Sequence, residues 1–176
     1  MRYLVDEAAD LAAEGIPVFP LAARKKTPCT AHGVKDATTD PAAVRSFWSK
    51  FPSANIGAAT GVLFDALDVD GPDGEASLAQ LVAAHGPLPR TTEQKTGRGR
   101  QILFAADPRL RNSAGKLGPG LDVRASGGYV VAPPSIHPNG ARYTWTVRDG
   151  YAPWPEWLLE TQLREDRKHH PQSDGA

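Results

Sequence analysis

Apolar residues recur at intervals of three and four in four stretches of the chain, which is the spacing of one buried helix face. Gly15 follows the first stretch, at a position where glycine often ends a helix. Asp40 precedes the second stretch and can accept a hydrogen bond from a first-turn amide, with Pro41 at the first helical position. The predicted helices cover residues 2–14, 40–51 and 75–84, and a closing helix is anchored by residues 154–159.

Shorter apolar stretches bounded by turn residues predict strands. The first stretch, residues 16–21, contains Pro17 and Pro20, which cannot donate to a ladder, so we expect an edge strand. The next two strands are predicted to pair as a hairpin around Thr60 and Gly61. This pair is predicted at residues 55–59 and 62–70. The remaining strands are predicted at residues 91–95, 101–105, 121–124, 129–132 and 142–147.

The order of these elements favours an α+β fold, with a mixed or antiparallel central sheet flanked by helices, because most later strands are joined by tight turns. A length of 176 residues and an apolar fraction of 40% suffice for one core. A single compact domain is therefore predicted over residues 1–164. Residues 165–176 are charged and poor in apolar side chains, which predicts a flexible C-terminal tail. Long connections at 22–39 and 106–119 interrupt the pattern, and the first is long enough to be functional.

Composition argues against several classes of protein. No apolar run reaches the roughly 18 residues of a membrane span, and the acidic N-terminus is unlike a signal peptide, so a cytoplasmic protein without a membrane partner is expected. Cys29 is the single cysteine, which excludes an internal disulfide and a multi-cysteine zinc site. The five histidines are scattered, so no zinc is expected.

Charge is distributed unevenly although the net charge is zero. The segment 95–124 carries seven bases and two acids, and glycines interrupt it. Glycine lets a backbone approach phosphate groups closely, so the segment is a candidate phosphate-binding surface. A solvated basic loop is the alternative.

Two acids alternate on the strand predicted at residues 62–70. Asp68 and Asp70 are two positions apart, so their side chains share one face. Neighbouring like charges destabilise a strand unless a cation lies between them, and Mg²⁺ and Mn²⁺ prefer such oxygen ligands. Alternatively, Asp70 only ends the strand before Gly71, and Asp68 is a satisfied polar residue in the core.

A third acid, Asp122, lies in another predicted strand and could complete a three-carboxylate site. Arg124 is two residues further on and shares its face. This arginine could hold a substrate phosphate or simply pair with Asp122.

A glycine-rich turn enters the strand predicted at residues 101–105. Its basic side chains, with backbone N–H groups that could point outward, are suited to a triphosphate. The turn matches neither a P-loop nor a dinucleotide-binding turn, and an ordinary hairpin would look the same. The candidate nucleotide-binding residues here are Thr96, Gly97, Arg98, Arg100 and Gln101.

Several short segments occur in one linear order: residues 15–21, 26–28, 32–33, 36–40, 55–57, 67–70, 96–99, 121–124 and 127–135. Together they resemble the bifunctional DNA primase-polymerase (prim-pol) domain of plasmid, phage and prophage replication proteins, within the archaeo-eukaryotic primase superfamily. The resemblance covers about residues 5–160. Its most specific parts are the Asp-Val-Asp of 68–70 and the segment 127–135.

The resemblance implies that three acids bind two divalent cations, Mg²⁺ or Mn²⁺, beside an incoming nucleoside triphosphate. Asp68, Asp70 and Asp122 match these acids. The family has a histidine where this chain has Gln101, which can donate a hydrogen bond to phosphate but cannot carry positive charge. Lys26 and Arg124 are further candidates to hold the triphosphate.

The implied function is template-directed nucleotidyl transfer on single-stranded DNA, by in-line displacement at two metal ions. A helicase, in the same chain or a separate one, is an expected partner. One alternative is a non-catalytic prim-pol-like module that binds single-stranded DNA or a nucleotide. Another is a haloacid dehalogenase-type phosphatase, because residues 68–71 resemble its opening motif, although Pro72 replaces the usual Thr.

Overall fold

The computed structural model describes residues 3–169, which form four α-helices, nine strands and one short 3-10 helix. In chain order these elements are α1 (Leu4–Ala13), β1 (Val18–Leu21), the 3-10 helix (Gly33–Asp36), α2 (Pro41–Lys50), β2 (Asn55–Ala59), β3 (Phe64–Val69), α3 (Gly71–His85), β4 (Thr92–Lys95), β5 (Arg100–Ala105), β6 (Ser113–Ala114), β7 (Leu121–Arg124), β8 (Tyr129–Ala132), β9 (Thr144–Val147) and α4 (Glu156–His169).

The strands form two sheets. Three strands pair in the order β1-β2-β8, and six pair in the order β6-β7-β3-β5-β4-β9. Every ladder between these strands is antiparallel. This arrangement confirms the predicted α+β class, with two antiparallel sheets in place of one central sheet. Strand β1, which contains Pro20 and directly follows Pro17, lies at a sheet edge as expected.

The predicted hairpin between β2 and β3 is wrong, because these strands belong to different sheets. Thr60 donates its hydroxyl to the carbonyl of Ala125 and its amide to the carbonyl of Gly128, so the chain crosses from one sheet to the other here. Gly61 has a φ of 81°, and an added β-carbon would overlap the backbone of Ser126. The turn residues therefore serve a crossover.

Strand alternation gives the six-stranded sheet two buried faces. Leu67 and Phe104 lie on the face that packs against α3 and α4, together with Leu158. Ala66 and Leu103 lie on the other face, in the cluster that includes residues of α1, α2 and the three-stranded sheet. The central strands are thus covered on both sides, except where polar side chains reach the space between the sheets.

Helix boundaries follow the sequence signals with two differences. The Asp40 carboxylate accepts from the Ala43 amide at 3.0 Å and caps α2, as predicted. Helix α3 begins at Gly71 instead of residue 75, directly after Asp70.

Helix α4 runs to His169, past the predicted boundary at 164. Within this last part of the helix, Asp166 forms an ion pair with Lys116 at 2.8 Å. Residues 170–176 of the predicted tail lie outside the described residues. No helix of residues 3–169 is both long and apolar enough to cross a membrane.

Candidate active site

A row of three polar side chains crosses the middle of the six-stranded sheet. Asp68 of β3 lies directly opposite Asp122 of β7 and directly opposite Gln101 of β5. Cross-strand neighbours in antiparallel sheets project from the same face, with β-carbons about 4.5–5.5 Å apart. Two carboxylates 54 positions apart in sequence number are thus adjacent in the fold.

Asp68 and Gln101 of this row line a cleft of about 360 Å³ that the three-stranded sheet closes on the other side, whereas Asp122, opposite Asp68 on β7, is not among its lining residues. The cleft is formed by polar and basic side chains, the glycines before β8 and β8 itself. Its lining residues are Lys26, Asp68, Gln101, Asn112, Arg124, Gly127, Gly128, Tyr129, Val130, Val131 and Tyr143. Of the candidates from sequence, Asp68, Gln101, Arg124 and Lys26 therefore meet in one place.

Asp68 is the most perturbed acid of the cleft. Burial raises the pKa of its carboxyl group, and the charge of Asp122 raises it further. A hydrogen bond from Gln101 and the positive charges of Lys26 and Arg124 oppose this rise. Ionisation of Asp68 therefore costs free energy, and neighbouring groups partly offset this cost, as is typical of functional sites.

Asp122 is partly engaged but remains accessible. One oxygen accepts from the Gly115 amide at 3.1 Å, and the other lies 3.4 Å from the Arg124 guanidinium. Its side chain is 29% exposed, so the contact is not a closed ion pair in the core. The Asp122 carboxylate therefore stays partly open to solvent beside Arg124.

The structure does not bring Asp70 into the same cluster. Asp70 stands at the N-cap position of α3, half exposed, with Arg98 at 3.4 Å. Within residues 3–169 no group of three acids, histidines or cysteines is placed to hold a metal ion. The structure therefore pairs Asp68 with Asp122 and leaves Asp70 with Arg98.

The glycine-rich turn is closed by its own threonine. Thr96 Oγ1 accepts from the amides of Arg98 at 3.3 Å and Gly99 at 3.0 Å. These two amides were expected to point outward, so that expectation is wrong. The turn presents the Arg98 side chain beside Asp70 instead of a row of free N–H groups.

Both glycines of this turn are needed for close packing. A β-carbon at Gly97 would overlap the imidazole of His137, and one at Gly99 would overlap the carbonyl of Val69. Asn139 also donates to the Gly97 carbonyl at 2.8 Å. The turn is thereby fixed between β3 and the loop after β8.

The Arg100 side chain is directed toward α3 and β4 and not toward Asp68 and Asp122, contrary to the expectation for a nucleotide-binding residue. Its guanidinium binds Glu75 of α3 at 2.7 Å and Glu93 of β4 at 3.2 Å. The hydrogen bond with Glu75 is the main cause of its raised pKa. Arg100 and Gln101 are neighbours on β5, so their side chains leave opposite faces and only Gln101 reaches Asp68.

Gln101 is held in place by a second buried amide. The Gln94 side chain donates to the side-chain oxygen of Gln101 and, at 2.8 Å, to the carbonyl of Val131. The Gln101 oxygen is thus occupied, and its amide group remains for Asp68. The residue at the expected histidine position therefore acts as a donor toward the acid.

Two tyrosines, Tyr129 and Tyr143, line the cleft and contact its other residues. Tyr143 is buried, and burial together with the Asp68 charge raises its pKa to about 12. Tyr129 donates its hydroxyl to the Lys26 carbonyl at 2.9 Å. Their contacts connect distant segments, so no local signal could have identified them.

These features define an α+β domain with a cleft between two sheets, in which Asp68 meets Lys26 and Arg124 and has Asp122 opposite it on the neighbouring strand. The family model for bifunctional DNA primase/polymerase, N-terminal, matches residues 8–157. The chain belongs to this family, which confirms the resemblance drawn from its motifs. No curated protein matches the chain.

Proposed function

We propose that this domain performs template-directed nucleotidyl transfer on single-stranded DNA, as primer synthesis, DNA polymerisation or both. The observation that carries the proposal is Asp68, which lines a cleft together with Lys26 and Arg124 and has Asp122 directly opposite on β7, in a primase/polymerase-family fold. A carboxylate pair beside cations is the arrangement that metal-assisted phosphoryl transfer requires.

The donor set fits a divalent cation. Mg²⁺ is usually held by one or two carboxylates together with substrate phosphates, so Asp68 and Asp122 suffice for one Mg²⁺ or Mn²⁺. A second ion, as the family resemblance implies, would use Asp70 after its release from Arg98, which is a solvent-exposed pair and therefore weak. Bound divalent ions would neutralise the charge that develops on the transferred phosphate and the leaving pyrophosphate.

The remaining cleft residues would bind and orient the nucleotide. Lys26 and Arg124 lie where they can pair with triphosphate oxygens, and Gln101 keeps Asp68 oriented and ionised. Arg98, on the turn from Thr96 to Gly99, would reach the phosphates from the rim. Arg100 is not included, because Glu75 and Glu93 occupy it.

The proposal includes a cellular setting. Replication of a plasmid, phage or prophage, beside a helicase in the same chain or in another, is the setting that the motif resemblance implies, and the cytoplasm is the compartment that the composition led us to expect. Sequence choice would come from base pairing with the template, so the protein needs only a cleft for the phosphate backbone.

A non-catalytic nucleotide-binding module is the second candidate, and two observations favour it. Gln101 cannot supply the positive charge of a histidine, and Asp70 is held apart from the other acids. Family membership favours both candidates over a phosphatase of the haloacid dehalogenase type.

The test is incorporation of labelled nucleotides on single-stranded DNA with Mg²⁺ or Mn²⁺, paired with direct nucleotide binding by titration calorimetry. The parent protein should incorporate nucleotides, and Asp68→Asn should not. Asp149→Asn, which changes an exposed carboxylate outside the cleft, is the matched control and should retain activity. Nucleotide binding without incorporation would support the non-catalytic module, and hydrolysis of small phosphate esters alone would support the phosphatase.

A further inference from the structure

A second basic site lies beside the cleft and has no place in the proposed chemistry. It is a cavity of about 470 Å³ between the loop 106–119 and helix α4. We call it the basic pocket. Its lining residues are Arg109, Arg111, Asn112, Lys116, Leu163, Asp166 and Arg167.

Two of the four cations in the basic pocket are already neutralised. Lys116 binds Asp166 at 2.8 Å, and both side chains are mostly buried. Arg109 binds Asp107 through two hydrogen bonds, of 2.9 and 2.8 Å. These pairs hold the loop and α4 in place and contribute little net charge.

The other two cations have no ion-pair partner in the described part of the chain. Arg111 of the loop and Arg167 of α4 are exposed, and neither forms an ion pair with any residue of 3–169. Arg111 and Arg167 are far apart in the sequence, yet they line one cavity. A concave surface with two unpaired guanidinium groups is suited to phosphate oxygens.

The basic pocket adjoins the cleft through Asn112, which lines both. The Asn112 amide donates to the Ser126 carbonyl at 3.0 Å, and its oxygen accepts from the Ala125 amide at 2.8 Å. The loop is thus fixed to the segment that leads into Gly127 and Gly128 of the cleft. The two cavities are therefore adjacent, with Asn112 in the wall of both.

We propose that the basic pocket binds the phosphodiester backbone of single-stranded DNA where the strand leaves the cleft. The inference rests on the proposed function for the identity of the strand, and it adds the path that the strand takes. Arg111 and Arg167 would each contact one phosphate, while the pairs at Lys116 and Arg109 keep the pocket open. Free triphosphate has the same phosphate chemistry, so the test must separate the two sources.

The experiment measures binding of a labelled single-stranded oligonucleotide by fluorescence anisotropy between 50 and 200 mM salt, without nucleotide or divalent metal. Each phosphate contact on a single strand contributes about 0.7 to the slope of log affinity against log salt. The Arg111→Ala, Arg167→Ala double variant should therefore lower the magnitude of the slope by about 1.4. The control Arg45→Ala, Lys50→Ala removes the same charge from exposed positions of α2 and should leave most of the slope.

Three outcomes would overturn the inference. The first is that the double variant keeps the slope of the parent protein. The second is that the α2 control loses as much slope as the double variant. The third is that the double variant weakens binding of labelled tripolyphosphate but leaves oligonucleotide binding unchanged, which would assign the pocket to free triphosphate. Absence of nucleotide incorporation in the parent defeats the proposed function only, because the salt slope is measured without catalysis.

Discussion

At the scale of single residues, the chemistry of the cleft depends on the ionisation of Asp68. Burial raises its pKa, whereas Gln101, Lys26 and Arg124 lower it. A raised carboxyl pKa means that the ionised form costs free energy in the folded protein, so stability falls as the pH rises from the ordinary carboxyl pKa through the raised one. A bound cation would reverse this penalty.

Replacement of Asp68 by Asn should separate activity from stability. We expect nucleotide incorporation to fall by ~100-fold or more, since losses of 10–100-fold already follow from changes to groups that only support metal ligands. The free energy of unfolding at pH 7 should be unchanged or higher, because the buried charge is gone. Urea denaturation and primer extension check the two parts. A large loss of stability would instead assign Asp68 a structural role.

Gln101 offers a second test at this scale. Gln101→Leu removes the donor to Asp68 and should cost about 1 to 3 kcal/mol in kcat/KM for nucleotide, the range for one charge-assisted hydrogen bond. The acid limb of the pH profile should move to higher pH, because the Asp68 pKa loses a stabilising contact. Gln101→His keeps a donor and should retain or improve activity. Equal kinetics for Gln101→Leu and the parent protein would contradict the role of Gln101 as a donor to Asp68.

At the scale of elements, the site is made where β3 pairs with β5 and β7. The turn before β5 is fixed by Thr96 and by packing of Gly97 against His137. Strand β5 follows this turn. The Gln101 side chain lies on its cleft face, and the Arg100 side chain lies on the face covered by α3. Adjacent residues of one motif thereby acquire different functions.

Arg100 and Lys26 should therefore behave differently on replacement by Ala. Arg100→Ala leaves Glu75 and Glu93 without their partner, so stability should fall by ~1 kcal/mol while the nucleotide KM stays near the parent value. Lys26→Ala should raise the nucleotide KM with little change in stability. Thermal melting and steady-state kinetics on both variants make the comparison. A raised KM for Arg100→Ala alone would restore the role expected from the sequence.

At the scale of the whole molecule, a second buried acid affects stability. Asp65 is fully buried on β3, and burial raises its pKa to about 6 from 3.8, although the Asp107 amide donates to it at 2.8 Å. The folded state then binds a proton that the unfolded state has released between these values. Stability should thus decrease as pH rises from about 4 through about 6.

The expected decrease is about 3 kcal/mol, at 1.36 kcal/mol per unit of pKa. Urea unfolding at intervals from pH 4 to 7.5 would measure it, with Asp65→Asn as the variant that removes the Asp65 contribution and leaves that of Asp68, whose pKa is also raised. A parent protein whose stability rises steadily over the same range would contradict the role of Asp65.

Local signals predicted much of this fold, because helix caps, proline positions and strand alternation are encoded within a few residues. Alternation also held the information that Arg100 and Gln101 face opposite ways, although both were predicted at one site. Other features depend on long-range register, which one sequence does not display. Examples are the pairing of Asp68 with Asp122, the crossover at Gly61 and the meeting of Arg111 with Arg167.

The most direct test of the central claim is Mn²⁺-dependent nucleotide incorporation by the parent and by Asp122→Asn on the same single-stranded template. Asp122 lies opposite Asp68 only in the folded domain, so its effect tests the geometry as well as the chemistry. We expect incorporation by the parent and a loss of ~100-fold or more in the variant at an unchanged melting temperature. Full activity of Asp122→Asn would contradict the assignment of the carboxylate pair as the catalytic centre.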